Sequence, residues 1–340
     1  MRTQLLAVVA FLAGLDVYGQ SVKRLVLSPS DARLSAEFVG ITSVREIADG
    51  RVLVTDGRDQ TLYLTDFHAN SAVVLGSKGK GPGEYSMVGF IRELSGDSSI
   101  MGDLYNLRWL LFNGAKIVST VPPDHPAIKA TGSSIHGTDR LGHVMIHSSM
   151  TPERNGVTQI TRKDSMALML VDRATGRRDT VAKLRESPRE RHINMDNEGR
   201  IHSSSSELTE PNPQAEEAVL APDGWIAVIR LEPLRIDWRS PTGQWTKGLP
   251  LPLKPEKDLT VFSSYRNLYT TPDGRVAIKR TPSKSSPANR WVVINRQGTI
   301  DGEFVLGAKE DIAGFSATSL YISRKDDNDI QTLRRHLWVR

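Results

Sequence analysis

The chain contains no cysteine. That excludes disulfides, thiolate-bound zinc and a thiol nucleophile. It also excludes a lipoprotein anchor, which needs a cysteine to acylate. Charge is not concentrated either. Lys and Arg number 44 against 39 Asp and Glu, a net charge of +5, and both signs are interspersed along the chain. A nucleic-acid surface gathers its cations on one element, so no nucleic-acid partner is expected. Helical periodicity of useful length is missing throughout. Long apolar runs are missing too. The one candidate, Leu5 to Leu15, is shorter than the roughly 20 residues a membrane span needs. It follows Arg2 and precedes Val17 and Gly19, the small residues that a signal peptidase reads. Residues 1–19 are therefore read as a cleaved secretory signal. Residues 20–340 are then an exported chain, periplasmic or extracellular, with no stable membrane span and expected to act as a monomer.

What is present is a repeat. Val44 to Asp56 and Gln60 to Asp66 hold alternating apolar residues on either side of Asp49-Gly50, a strong hairpin signal, with a second turn at Gly57-Arg58-Asp59. The pattern returns with Phe90 to Leu94, Ser99 to Asp103 and Arg108 to Phe112. It returns again around Gly142, Gly224 and Gly274, and more weakly in Ser319 to Ser323 and Leu333 to Val339. The turn glycines 50, 96, 142, 224 and 274 are 46, 46, 82 and 50 residues apart. Four-stranded propeller blades repeat at about 40–50 residues. The interval of 82 contains Arg185 to Gln214, a polar stretch with serines at 203 to 206 and prolines at 211 and 213, read as a long inter-blade loop. The fold class is therefore all-β, a six-bladed β-propeller of four-stranded antiparallel blades. The sixth copy is one strand short. An N-terminal strand, Leu25 to Leu27 or Leu34 to Val39, is expected to complete it and close the ring.

Val54 to Asp56 with Leu62 to Asp66, and Met101 to Asp103 with Arg108 to Phe112, resemble the strand pair of NHL-type repeats. From about residue 40 to the end, the chain resembles exported bacterial six-bladed propellers of the TolB-like superfamily. The resemblance rests on Gly79-Lys-Gly-Pro-Gly-Glu-Tyr85, Ala221-Pro-Asp-Gly-Trp225, Thr271-Pro-Asp-Gly-Arg275 and the tail from Asp326 to Leu333. It implies the fold and export, and brings no activity with it.

Candidate binding residues come from position in the repeat. Asp56, Arg58, Asp103 and Arg108 fall at corresponding places near the inner hairpins of blades one and two, and Arg230 and Arg280 end the matching strands of blades four and five. They are expected at the channel mouth, where they would favour an anionic ligand, or in salt bridges between blades. Gly76 to Gly83 is glycine-rich, but Pro82 and Glu84-Tyr85 follow where a phosphate-binding loop needs Lys-Ser/Thr opening a helix. It is read as an inter-blade crossing loop, with Lys78, Lys80 and Glu84 as its polar contacts if it binds anything. His143 and His147 lie four apart, which in a strand separates them by roughly 13 Å, too far for one metal ion. The tryptophans fall mostly in strands and are read as packing between blades. No Gly-x-Ser-x-Gly elbow occurs.

The leading expectation is a non-enzymatic recognition propeller for a protein, peptide or glycan, with no cofactor. The alternative is a calcium-dependent hydrolase of the lactonase or arylesterase type. Its oxygen ligands would be sought among Asp103, Asn106, Asn194 and Asp196.

Overall fold

The computed structural model describes residues 23–148, 158–195, 201–208, 215–254, 267–281 and 288–338. The expected signal segment, residues 1–19, lies outside them. After an N-terminal strand β1 (Ser30–Arg33), blade one comprises β2 (Ile41–Glu46), β3 (Val52–Asp56), β4 (Thr61–Asp66) and β5 (Ser71–Val74). A two-rung parallel ladder, β6 (Ser77–Lys78) with β7 (Glu84–Tyr85), leads to blade two: β8 (Val88–Glu93), β9 (Ser98–Asp103), β10 (Arg108–Asn113) and β11 (Lys116–Val121). Helix α1 (Pro126–Thr131), the one helix among the described residues, crosses to blade three. That blade comprises β12 (Gly137–Thr138), β13 (His143–Ser148), β14 (Thr158–Asp172), β15 (Arg178–Met195) and β16 (Ile201–Leu208). Blade four is β17 (Glu217–Leu220), β18 (Ile226–Leu231), β19 (Leu234–Arg239) and β20 (Trp245–Thr246). Blade five is β21 (Leu268–Thr270), β22 (Val276–Lys279), β23 (Asn289–Ile294) and β24 (Ile300–Leu306). Blade six is β25 (Glu310–Phe315), β26 (Ser319–Lys325) and β27 (Gln331–Leu337), completed by β1.

The first strand of each blade is innermost, and β2, β8, β12, β17, β21 and β25 follow one another in a closed circle of contacts. Alternation explains why the blades stack. In β18, Ile226 and Val228 pack toward blade three, whereas Ala227 and Ile229 pack toward blade five. Both faces of such a strand are covered, so it reads as an unbroken apolar run. Among the described residues the core is accordingly six separate apolar clusters, one at each blade interface. Trp109, Trp238 and Trp291, each on the third strand of its blade, are fully buried there. The turn glycines behave as the repeat requires: Gly50, Gly96, Gly142, Gly224 and Gly274 all have positive φ, between 60° and 108°. Blade six makes the equivalent turn with Ser316-Ala317-Thr318 instead, which is why its copy is the weakest in the sequence.

Two expectations are corrected. The closing strand is Ser30–Arg33, pairing with β27, and neither segment proposed for it. Leu25 and Leu27 instead pack on the edge of blade five, and Leu34 and Phe38 fill the interface of blades six and one. Apolar segments were sought, but an outermost strand is wet, and three of the four residues of β1 are exposed. Second, Arg185 to Gln214 is not a loop over its described part. Arg185 to Met195 continues β15, and Ile201 to Leu208 forms β16, paired antiparallel beside it. The ladder uses backbone groups alone, so a serine-rich segment can sustain it. Pro188 sits in the unpaired stretch where the register of β14 and β15 shifts, the place in a sheet that tolerates a missing N–H.

Candidate functional site

Antiparallel blades divide their connections between two faces. The hairpin face carries the turns between first and second and between third and fourth strands. The crossover face carries the turns between second and third strands and the links from blade to blade. The candidate binding residues Asp56, Arg58, Asp103, Arg108, Arg230 and Arg280, and the loop residues Lys78, Lys80 and Glu84, all lie at the crossover face. None of them lines the axial cavity.

Each is tied down locally. The buried Asp56 carboxylate accepts the backbone N–H groups of Val39 (2.6 Å), Gly40 (2.9 Å), Arg58 (3.1 Å) and Asp59 (3.0 Å), so it binds the incoming chain to the β3–β4 turn. Arg58 is exposed, and its stem covers Gly40, where a Cβ would meet it at 2.7 Å. Asp103, also buried, accepts Ser86 N–H (3.1 Å), Met87 N–H (3.2 Å), Asn106 Nδ2 (2.7 Å) and Arg108 Nε (2.9 Å). Arg108 in turn donates to the carbonyls of Lys80 (2.7 Å) and Glu84 (2.9 Å). Two independent expectations therefore meet in one structure: the Asp103–Arg108 pair holds the glycine-rich crossing loop. Inside that loop Glu84 accepts Gly81 N–H at 2.7 Å, and a Cβ on Gly79 would lie 2.0 Å from Glu84 Oε2. Lys78 donates to the Gln60 carbonyl, and Lys80 is exposed. Arg230 pairs with Glu216 at 2.6 Å and donates to the Lys183 carbonyl of blade three, while Arg280 pairs with Glu303 at 2.8 Å. Of the oxygen ligands sought for calcium, Asp103 and Asn106 bond to each other. Asn194 lies on the ladder opposite Thr158 and Ser203, and Asp196 lies outside the described residues. Among the described residues, no three His, Asp or Glu side chains are grouped to hold a metal ion.

Along the axis the inner strands enclose a cavity of about 150 Å³. Each blade contributes to its wall: Thr42, Arg92, His136, Glu217, Tyr269 and Phe315. The His136 and His147 rings meet edge to face at 4.5 Å, and His147 N–H donates to His136 Nδ1 at 3.1 Å. Burial, with His147 and the Arg92 charge beside it, pushes the His136 imidazole well below its ordinary range. Burial alone lowers His147 to about 4.

At the hairpin face the axis opens into a cleft of about 540 Å³ lined from five blades. Its polar rim is built from pairs that join neighbouring blades. Arg140 of blade three meets Glu93 of blade two at 2.6 Å, and Arg296 of blade five meets Asp223 of blade four at 2.5 Å. Arg296 also lies over the rings of Trp225 (4.9 Å) and Trp238 (5.8 Å). Burial works to raise the Asp273 carboxyl, but hydrogen bonds from Arg275 and Thr271 outweigh it and hold the group below its usual range. The two Pro-Asp-Gly turns, 222–224 and 272–274, supply part of this rim. In the sequence they read as turns and as part of the family resemblance, with no sign of a binding rim. Nothing local to Glu93, Arg140 or Arg296 marks them, because each finds its partner from 47 to 73 residues away.

No family model and no curated protein matches the chain. Solved structures do align with it. A calcium-binding protein, regucalcin, from Agrobacterium tumefaciens shares 10% identity over 93% of this chain and 97% of that one, with a TM-score of 0.43. A streptogramin B lyase shares 12% over 91% and 86%, at 0.38. Virginiamycin B lyase from Staphylococcus aureus shares 10% over 90% and 98%, at 0.41. Likeness at this level says nothing about activity.

Proposed function

We propose that the chain is an exported recognition propeller of the TolB-like kind, holding a protein, peptide or glycan at the hairpin-face cleft without transforming it. The supporting observation is the contrast in room along the axis. Small-molecule pockets span about 300–1,000 Å³. The 540 Å³ cleft falls in that range, whereas the 150 Å³ axial cavity does not. A ligand is therefore read from the face, by the chain segment or sugar it presents to a rim carrying both charge signs. Export rests on the apolar segment from Leu5 to Leu15. The calcium-dependent hydrolase remains the competing reading.

Peptide and glycan arrays probed with residues 20–340 test the proposal. Binding should survive chelation and disappear in Arg140→Glu without loss of melting temperature. A calcium-dependent rise in melting temperature at millimolar ion, together with blank arrays, would favour the hydrolase instead.

A further inference from the structure

At the crossover face, between blades five, six and one, lies a second cavity of about 330 Å³. It is separated from the hairpin-face cleft by the axial cavity, with which it shares Thr42 and Tyr269. Its wall carries an ion pair of inward-facing type. Lys279 Nζ, at the end of the second strand of blade five, stands 2.6 Å from Asp311 Oδ2 on the inner strand of blade six. Lys279 is the more buried partner, with 13% of its side chain exposed against 35% for Asp311, and its Nζ is 5.8 Å from the Trp291 ring centre.

Neither charge is saturated by this pairing. An ammonium has three donors, and a carboxylate accepts at about four positions. Asp311 takes one of the Lys279 donors. On the carboxylate, Oδ2 accepts Lys279 and Oδ1 accepts the Ile312 N–H at 3.0 Å. Other polar groups of the wall are already committed. Asn289 Nδ2 donates to the Glu310 carbonyl (2.5 Å), Ser323 Oγ to the Asp311 carbonyl (3.3 Å), and Gln331 accepts the Ile41 N–H (2.9 Å). Three further charges of the wall are engaged on other sides, Lys309 with Asp327, Lys325 with Asp329 and Glu310 with Arg334. Lys279 and Asp311 are the cation and anion that stand side by side in the wall, each with hydrogen-bonding capacity to spare. Toward the axis the wall turns to Ile41, Thr42 and Tyr269.

We propose that this cavity binds a free α-amino acid. The ammonium and carboxylate of such a ligand are separated by the same short spacing as Lys279 and Asp311. It can therefore lie antiparallel to the pair, with its carboxylate on Lys279 and its ammonium on Asp311. Both protein charges are then better satisfied without either being left unpaired in a partly buried site, the arrangement that makes such pairs costly to split. The ligand side chain is directed at Ile41, Thr42 and Tyr269, which favours small or modestly apolar ones. This site is independent of ligand capture at the opposite face.

Thermal shift and calorimetric titration of residues 20–340 test this directly. The probes are glycine, alanine, serine and valine, with propionate and ethylamine as half-ligands and glycylglycine as a peptide. At least one amino acid should raise the melting temperature and bind at least tenfold more tightly than either half-ligand. Lys279→Met and Asp311→Asn should each weaken that binding at least tenfold. The double variant, which leaves no unpaired charge, should abolish it while melting as a folded protein. Arg140→Ala, in the other cleft, should leave it unchanged. The proposal is overturned if no amino acid binds, if propionate or ethylamine binds as well, if glycylglycine binds and the amino acids do not, or if binding survives the double variant.

Discussion

The two faces of the ring use the same kinds of charged residue for different purposes. On the crossover face, Asp56 and Asp103 are fully buried, and half of what their carboxylates accept is backbone N–H from the links between blades. On the hairpin face, the rim charges Arg140 and Arg296 are wetter and meet other side chains across a blade interface. Arg140 with Glu93 is 55% and 25% exposed, and Arg296 with Asp223 is 29% and 50% exposed. Charge-assisted hydrogen bonds in a buried setting contribute about 1.5–3 kcal/mol each, whereas an exposed pair contributes about 0–1 kcal/mol. The crossover face is therefore where the chain path is fixed. The hairpin face spends its charge on a surface that can be read. One repeat unit has been adapted to both tasks because its second strand ends on one face and begins on the other.

Substitutions should separate the faces by size of effect. Asp103→Ala should be the most damaging, at about 3–5 kcal/mol, because it strands the Arg108 guanidinium, only 11% exposed, along with two backbone N–H groups. The urea midpoint measures it, and a loss below about 1 kcal/mol would erase the distinction between the faces.

The axis should respond to acid rather than to mutation of either face. His136 and His147 are both held below the ordinary imidazole value of 6.5. The unfolded chain therefore binds more protons than the folded one over that interval. Stability is fully present above pH 6.5 and is lost as pH falls through about 4, where His147 titrates in the fold. The His147 share is ~3 kcal/mol. Melting temperature followed from pH 7 to pH 4 should fall, and should fall less in His147→Phe.

On the hairpin face, Arg296→Ala should cost about 1 kcal/mol, chiefly from lost stacking on Trp225 and Trp238. High salt should reduce the effect only slightly, since the stacking survives screening. Arg140→Ala should be the mildest, within about 0.5 kcal/mol by chemical denaturation. If Arg140→Ala matched Asp103→Ala, the hairpin face would be structural scaffolding like the other.

Much of the fold was legible because propeller blades carry local signals. Asp49-Gly50 and its equivalents set φ > 0 once per blade in the first five blades, and β3, buried along its whole length, shows as the run Val52-Leu-Val54. The correct position of the closing strand was not legible, because Ser30–Arg33 is held by pairing to His336, Arg335 and Arg334 and has no apolar pattern of its own. The extension of blade three was hidden for the same reason: serine-rich β16 is organised by its neighbour's backbone. The candidate residues were legible as types and not as roles. Arg108 could be seen to recur near a turn, but not that its guanidinium reaches back 24 to 28 residues to clasp the glycine-rich loop.

By itself, the sequence determined how many blades form and where the glycine-marked chain reversals fall, since both are governed by φ preferences and alternation within a few residues. Only the tertiary structure decided which charges share a cavity, such as Lys279 with Asp311 or Arg140 with Glu93. Those pairings depend on how the rigid blades are stacked, and stacking is set by apolar contacts between residues far apart in the chain.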